Sequence, residues 1–262
     1  VAGVALATII SETVSACLVT AMLVREKGAL HLDLHKLGFH AGTLKQILLI
    51  GLPAGLQGIV FSLSNVLIQS SVNSFGSQVM AGNTAASNIE GFVYNAMNAV
   101  YQTSLSFTSQ NMGAHDLKRV DKGVTTALGI GCVYSVVSFL ILRVMDVPLI
   151  SLFLESSEVE IMANARSFIF WNSLFYIPLA VLIIYRYTIQ GLGYSGLAMF
   201  AGVAEMVARV MVGCWFVPLW GYFAACIANP VAWFFACFFL IPAYFAVRKR
   251  LTKELAAARV ED

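Results

Sequence analysis

Asn83, Ser87, Glu90, Tyr94, Asn98 and Gln102 recur every three or four residues within an apolar stretch long enough to cross a bilayer, so all six project from one helical face. A carboxylate among lipid tails costs about 2.5 to 3.5 kcal/mol on insertion scales. Glu90 is therefore expected to face a protein interior or a wet cavity, where it could attract a cation or anchor a neighbouring helix. A second polar stripe, Ser62, Asn65, Gln69 and Asn73, lies in the preceding apolar stretch. The short turn at Ser74 to Gln78 predicts that the two helices are antiparallel neighbours. Their amide faces either line a shared aqueous cavity or hydrogen-bond each other as interhelical glue. Glu205 and Arg209, spaced i and i+4 with the acid first, predict an ion pair within one helix, with a substrate or coupling role as the alternative. Arg186 and Gln190 share that spacing, and Arg186 is expected to snorkel or cap its helix end, with gating as the alternative.

The elements that must position these residues are membrane helices. Hydrophobic residues make up 59% of the 262-residue chain and charged residues 11%, with a mean hydropathy of +0.80. Soluble domains carry roughly 25% charged residues, which excludes an ordinary soluble fold. The net charge of +2 does not suggest nucleic acid. About seven apolar stretches reach the roughly 20 residues a spanning helix needs. They run over 1–24, 43–75, 79–109, 122–144, 163–190, 196–220 and 222–247, giving an all-α polytopic membrane protein. Alternate connections collect the basic residues: Arg25, Lys27, Lys36 and Lys45; then Lys118, Arg119 and Lys122; then Arg248, Lys249, Arg250, Lys253 and Arg259. The opposite side carries the acidic stretch from Asp146 to Glu160, flanked by Arg143 and Arg166. Short cytoplasmic loops collect Lys and Arg, so the carboxyl terminus is expected in the cytoplasm. Val1 opens inside an apolar run with no Met and no signal-peptide charge pattern, so the chain is expected to continue upstream.

Other features read as structural. His31 and His35 at i and i+4 could ligate a metal, but no third ligand converges, and the segment Arg25 to Gly42 reads as an amphipathic interfacial connector. No cofactor or metal site is expected. Cys17, Cys132, Cys214, Cys226 and Cys237 lack CxxC pairing and read as buried, reduced packing residues. Pro53, Pro178, Pro230 and Pro242 each remove a backbone donor at membrane depth and predict kinks. Gly193-Tyr194-Ser195-Gly196 is a GxSG string like that of intramembrane serine proteases, yet that chemistry needs a base, and His31, His35, His40 and His115 all fall in loops. The string therefore reads as a turn, and the chain as a non-enzyme.

Gly51-Leu52-Pro53-Ala54-Gly55, the run from Ala81 to Glu90, and Ser109-Gln110-Asn111-Met112-Gly113-Ala114-His115-Asp116 together resemble the second half of a bacterial MATE (multidrug and toxic compound extrusion) transporter. Ile189-Gln190-Gly191-Leu192-Gly193 and Glu205-Met206-Val207-Ala208-Arg209 resemble later spans of the same family. The resemblance implies a two-lobe antiporter in the bacterial plasma membrane that exports amphipathic organic cations, drugs or metabolites against Na⁺ or H⁺. Residues 1–24 would be the last helix of the amino-terminal lobe, 25–42 the cytoplasmic inter-lobe loop, 43–247 the six-helix carboxyl-terminal lobe and 248–262 a cytoplasmic tail. The facing lobe, or a second copy in a half-size protein, would be required for transport. Acidic residues that some members carry near Phe61 and Ser62, and near Leu179, are absent here, which shifts the expected coupling-ion site to the other lobe. The substrate site implied is Asn65, Gln69, Glu90, Tyr94, Asn98, Glu205 and Arg209, with Phe61, Tyr94, Met97 and Tyr101 as apolar contacts or as ordinary packing. Lipid-linked oligosaccharide or lipid II flippases of the related superfamily are the alternative, although their pyrophosphate substrates call for several cationic residues, and only Arg186 and Arg209 lie at depth.

Overall fold

A backbone that crosses lipid must satisfy its own hydrogen bonds, which forces apolar runs of this length into helices. The computed structural model describes residues 2–28, 31–36, 38–153 and 159–261. The predicted acidic stretch thus lies partly, at 154–158, outside the described residues, as do Val1 and Asp262. The helices are α1 (Ala2–Arg25), α2 (Ala41–Asn73), α3 (Ser77–Gly113), α4 (Leu117–Ile150), α5 (Val159–Leu174), α6 (Tyr176–Gly191), α7 (Ser195–Met211), the short α8 (Val217–Trp220) and α9 (Tyr222–Glu261). A single π turn, Val212–Phe216, joins α7 to α8.

Five of these helices are long and apolar enough to span a membrane, or six when α5 and α6 count as one bent span. The sequence predicts about seven. The difference is α3, which is 37 residues long but carries the polar stripe that keeps it below the apolarity of the others. The predicted continuous fifth span is broken instead by a 53° bend between α5 and α6. Pro178 explains the break, because its ring collides with the carbonyl four residues earlier, at Leu174, where α5 ends. Next to the bend, the Ser135 hydroxyl donates to the buried Tyr176 carbonyl at 3.1 Å and the Cys237 thiol to that of Pro178 at 3.3 Å. Pro53, Pro230 and Pro242 sit inside helices that run on unbroken.

Two compact units divide the chain, Val1–Ile47 and Leu48–Asp262. In the first, α1 exposes its apolar side chains, and the connector holds His31 Nδ1 2.7 Å from the Glu26 carbonyl. The second unit contains the core. There α3 packs closely against α4, α5 and α6, and α9 against α5, α6 and α7. Tyr101, Met97, Leu182, Ile184, Ile189 and Leu240 are among its most buried side chains. Glycine permits the closest approaches: a Cβ on Gly82 would sit 2.8 Å from the Ile161 carbonyl oxygen, and one on Gly191 2.9 Å from that of Leu105.

Contrary to the antiparallel-neighbour expectation, α2 does not pack its backbone closely on α3. It meets α7 and the π turn by side chains, with Val72 buried among Val212, Val217 and Ala224. Ser71 Oγ lies 3.3 Å from where a Cβ on Gly213 would stand. A gap is left between α2 and α3, and the functional residues line it.

The cysteines split: Cys226 and Cys237 are buried, Cys132 is intermediate, and Cys17 and Cys214 are exposed, so the expectation that all five are buried fails for those on outward helix faces. Arg143 and Arg166, the flanking cations of the acidic side, both turn onto Asp146, Arg166 Nε at 2.8 Å and Arg143 Nη1 at 3.7 Å. At the opposite end of α4, Arg248 pairs with Asp121 at 2.6 Å, and the Tyr244 hydroxyl donates to the same carboxylate at 2.9 Å.

Candidate functional site

A cavity of about 370 Å³ lies between α2, α3, α6, α7 and α9. Six of the seven residues expected from the sequence line it: Asn65 and Gln69 from α2, Glu90 and Tyr94 from α3, and Glu205 and Arg209 from α7. The 3.6-residue period accounts for this directly, since Asn83, Ser87, Glu90 and Tyr94 occupy one face of α3 and all reach the same space. Asn98, one turn further, does not line it. Its Oδ1 accepts a hydrogen bond from the Tyr187 hydroxyl at 3.1 Å, tying α3 to α6. Gln102, at the end of the stripe, is exposed. Of the two fates open to the amide faces, no side-chain hydrogen bond joins the two stripes among the described residues, and both stripes contribute lining groups to the cavity.

The charges are wired differently from the helical i, i+4 expectation. Glu205 pairs with Arg186 of α6, not with Arg209. Arg186 is buried rather than snorkelled, because the carboxylate on the facing helix supplies its counter-charge inside the bundle. Arg209 instead spans the cavity to α2, donating from Nη1 to Ser64 Oγ at 3.0 Å and to Asn65 Oδ1 at 3.2 Å. Its guanidinium also sits 5.3 Å from the centre of the Phe61 ring, within cation–π range. A pair on one helix gains only about 0.2 to 0.5 kcal/mol, too little to outweigh these interhelical contacts. The π turn begins three residues after Arg209 and shifts the helix register where α2 is met, a common use of such turns.

Glu90 makes no side-chain hydrogen bond and no contact ion pair among the described residues, and it feels the Arg209 guanidinium across the cavity. With Arg186 neutralised by Glu205 and Arg209 held on two α2 oxygens, Glu90 is the carboxylate left without a contact partner. The remaining wall mixes amides and a hydroxyl, Asn83, Ser87, Asn95 and Asn229, with apolar and aromatic side chains that include Phe61, Phe168, Leu182 and Trp233. Phe61 and Tyr94 line the cavity as apolar contacts, whereas Met97 and Tyr101 are packed in the core, Met97 2% and Tyr101 1% exposed. Such a chamber, part amide and part aromatic with one carboxylate lacking a contact partner, has the chemistry to hold a compact organic cation.

Trp233, Asn229 and Asn95 are lining residues that sequence patterns did not point to. Asn229 carries the clearest missed signal, an amide four residues before Trp233 on an otherwise apolar helix. Its Nδ2 donates to Asn172 Oδ1 at 3.1 Å, and Asn172 donates to the Phe168 and Cys226 carbonyls at 3.0 and 3.2 Å, so a polar chain links the cavity wall to α5. The GxSG serine, Ser195, is the buried first residue of α7, directly after the turn in which Gly193 has φ +90°. Among the described residues no three His, Cys, Asp or Glu side chains gather as a metal site.

The MatE family model matches residues 53–215, which include most of this cavity wall. The "Probable multidrug resistance protein YoeA" of Bacillus subtilis (strain 168) is 24% identical over 165 residues, covering 62% of this chain and 36% of the relative. Among solved structures, "MATE in complex with MaL6" superposes with a TM-score of 0.84 at 18% identity, covering 95% of this chain and 57% of that one. An "outward-facing conformation of a multidrug resistance MATE family transporter" of the MOP superfamily gives 0.83 at 17%, covering 95% and 56%. The chain therefore spans little more than half the length of these transporters, and about a third of the curated relative. On the family match, this multi-pass membrane chain belongs to the MatE family, whose members are transporters and not enzymes.

Proposed function

We propose that this chain supplies one lobe of a secondary active efflux transporter, and that its cavity binds drugs, metabolites or other amphipathic organic cations. The observation that carries this is the free Glu90 carboxylate in a chamber whose other charges are committed. Asn65, Gln69 and Tyr94 orient the ligand, Arg209 holds α2 over it, and the Glu205–Arg186 pair keeps the wall neutral. Asn98 acts as a helix tie. Export is driven by antiport against Na⁺ or H⁺, with the coupling ion bound in a facing lobe; that lobe, or a second copy of this chain, closes the cavity opposite α2. Residues 43–247 form the transport lobe, 25–42 the inter-lobe loop and 248–262 a tail. The basic connections favour a carboxyl terminus on the cytoplasmic side of a bacterial plasma membrane. Two carboxylates balancing two guanidiniums leave no net positive charge for a pyrophosphate, which disfavours a flippase. Export by the full-length transporter bearing Glu90→Gln tests this directly: export of organic cations should fall and its dependence on pH should flatten. Unchanged export with an unchanged pH profile would remove Glu90 from the mechanism.

A further inference from the structure

A second chamber of about 320 Å³ adjoins the first on the side of the α2 amino-terminal half and the α6 carboxyl-terminal half. The two share Phe61, Tyr94, Ile183 and Arg186, so one ligand can straddle them. Their polar groups differ in a way that assigns each a role. In the second chamber every polar side chain on the wall is partnered or is a shared phenol. Gln190 Nε2 donates to Gln57 Oε1 at 2.7 Å, the Tyr187 hydroxyl donates to Asn98, and Arg186 is paired with Glu205. The rest of the wall is apolar or small, including Ala54 and Gly58. The first chamber holds the carboxylate without a contact partner.

We propose that the second chamber is the apolar-tail subsite of a bipartite binding site: the cationic head sits against Glu90 and the hydrocarbon or aromatic end passes between Phe61 and Tyr94 into the space closed by the Gln57–Gln190 amide bridge. This rests on the reading of the first chamber as a cation site and specifies its substrate class as cations with one extended apolar arm. An apolar arm entering this space breaks no side-chain bond, because Gln57 and Gln190 bond each other while Tyr187 and Arg186 keep their partners on Asn98 and Glu205, although the buried Arg186 Nε is left without an acceptor. Each buried methylene adds to affinity, so the chamber selects for arm length.

Two glycines allow the chambers to be filled separately. Gly58 lines only the second and Gly91 only the first, and a Cβ at either meets nothing within 4 Å. Binding of butyltrimethylammonium and octyltrimethylammonium to the purified full-length transporter in nanodiscs reads the preference for the longer arm as the ratio of the two affinities. Gly58→Phe should lower that ratio at least about tenfold, since it removes room for several methylenes. Ala54→Met, on the same wall, should lower it in the same direction and guards against misfolding of the first variant. Gly91→Phe should weaken both ligands together. An octyl-to-butyl ratio unchanged in both Gly58→Phe and Ala54→Met refutes the tail subsite while leaving the cation site standing. Unchanged binding of both ligands in Gly91→Phe refutes the cation site itself.

Discussion

Glu205→Gln removes the negative partner of Arg186 while keeping the size of the side chain. Both groups lie inside the bundle, with side chains 11% (Arg186) and 3% (Glu205) exposed. A guanidinium left without its partner at such a site costs about 3 to 5 kcal/mol, whereas removing both charges leaves nothing uncompensated. The double variant Glu205→Gln with Arg186→Met should therefore be less destabilised than the sum of the single changes, by about 2 kcal/mol. The same cycle between Glu205 and Arg209 should give about 0.5 kcal/mol or less, because Arg209 is engaged by Ser64 and Asn65 on α2. Reversible denaturant unfolding of the full-length transporter and its variants in mixed micelles measures all of these terms. A coupling of Glu205 to Arg209 that exceeds its coupling to Arg186 would show that the charges are paired along α7 after all.

Close backbone approach makes Gly82 and Gly191 intolerant: Gly82→Ala and Gly191→Ala should each cost about 1 to 3 kcal/mol in the same unfolding measurement, while Gly91→Ala, which meets nothing, should not. Asn172→Leu leaves the Cys226 carbonyl and the Asn229 amide without their partner, and a loss of about 1 to 3 kcal/mol is expected. The Asp121–Arg248 pair is partly exposed, so Arg248→Ala should cost about 1 kcal/mol or less and the effect should shrink with added salt.

Helical periodicity made the α3 face readable from sequence, because side-chain direction repeats every 3.6 residues whatever the surroundings. The two polar faces, whose fate as cavity lining or interhelical glue the sequence leaves open, bring Glu90, Tyr94, Asn65 and Gln69 to one cavity, since polar faces on apolar helices have few places to go except a common interior. Periodicity says nothing of which helix a face meets. For that reason spacing alone pairs Glu205 with Arg209 on its own helix, where the structure has Arg186 across the bundle, and places Asn98 with the cavity, where the structure has it bonded to Tyr187. Pro178 predicts a kink, and the size of the bend, 53°, is set by how α5 and α6 pack on their neighbours and is not written in the local sequence. The standing-off of α2 from α3 was not readable from the short Ser74–Gln78 turn, which fixes chain direction and not spacing. The second chamber was hidden for the same reason, because Gln57 and Gln190 are 133 residues apart and no local pattern joins them.

Whether the free Glu90 carboxylate recognises positive charge is tested most directly by binding. Tetraphenylphosphonium carries a positive charge and four phenyl rings, and the neutral triphenylphosphine oxide three rings and a P=O acceptor, so each ligand is compared with itself across the two proteins. Calorimetric affinities for the full-length transporter and its Glu90→Gln variant should show the phosphonium weakened by at least roughly tenfold, about 1.4 kcal/mol, and the oxide changed little. Equal weakening of both ligands, or of neither, would contradict a cation site at Glu90.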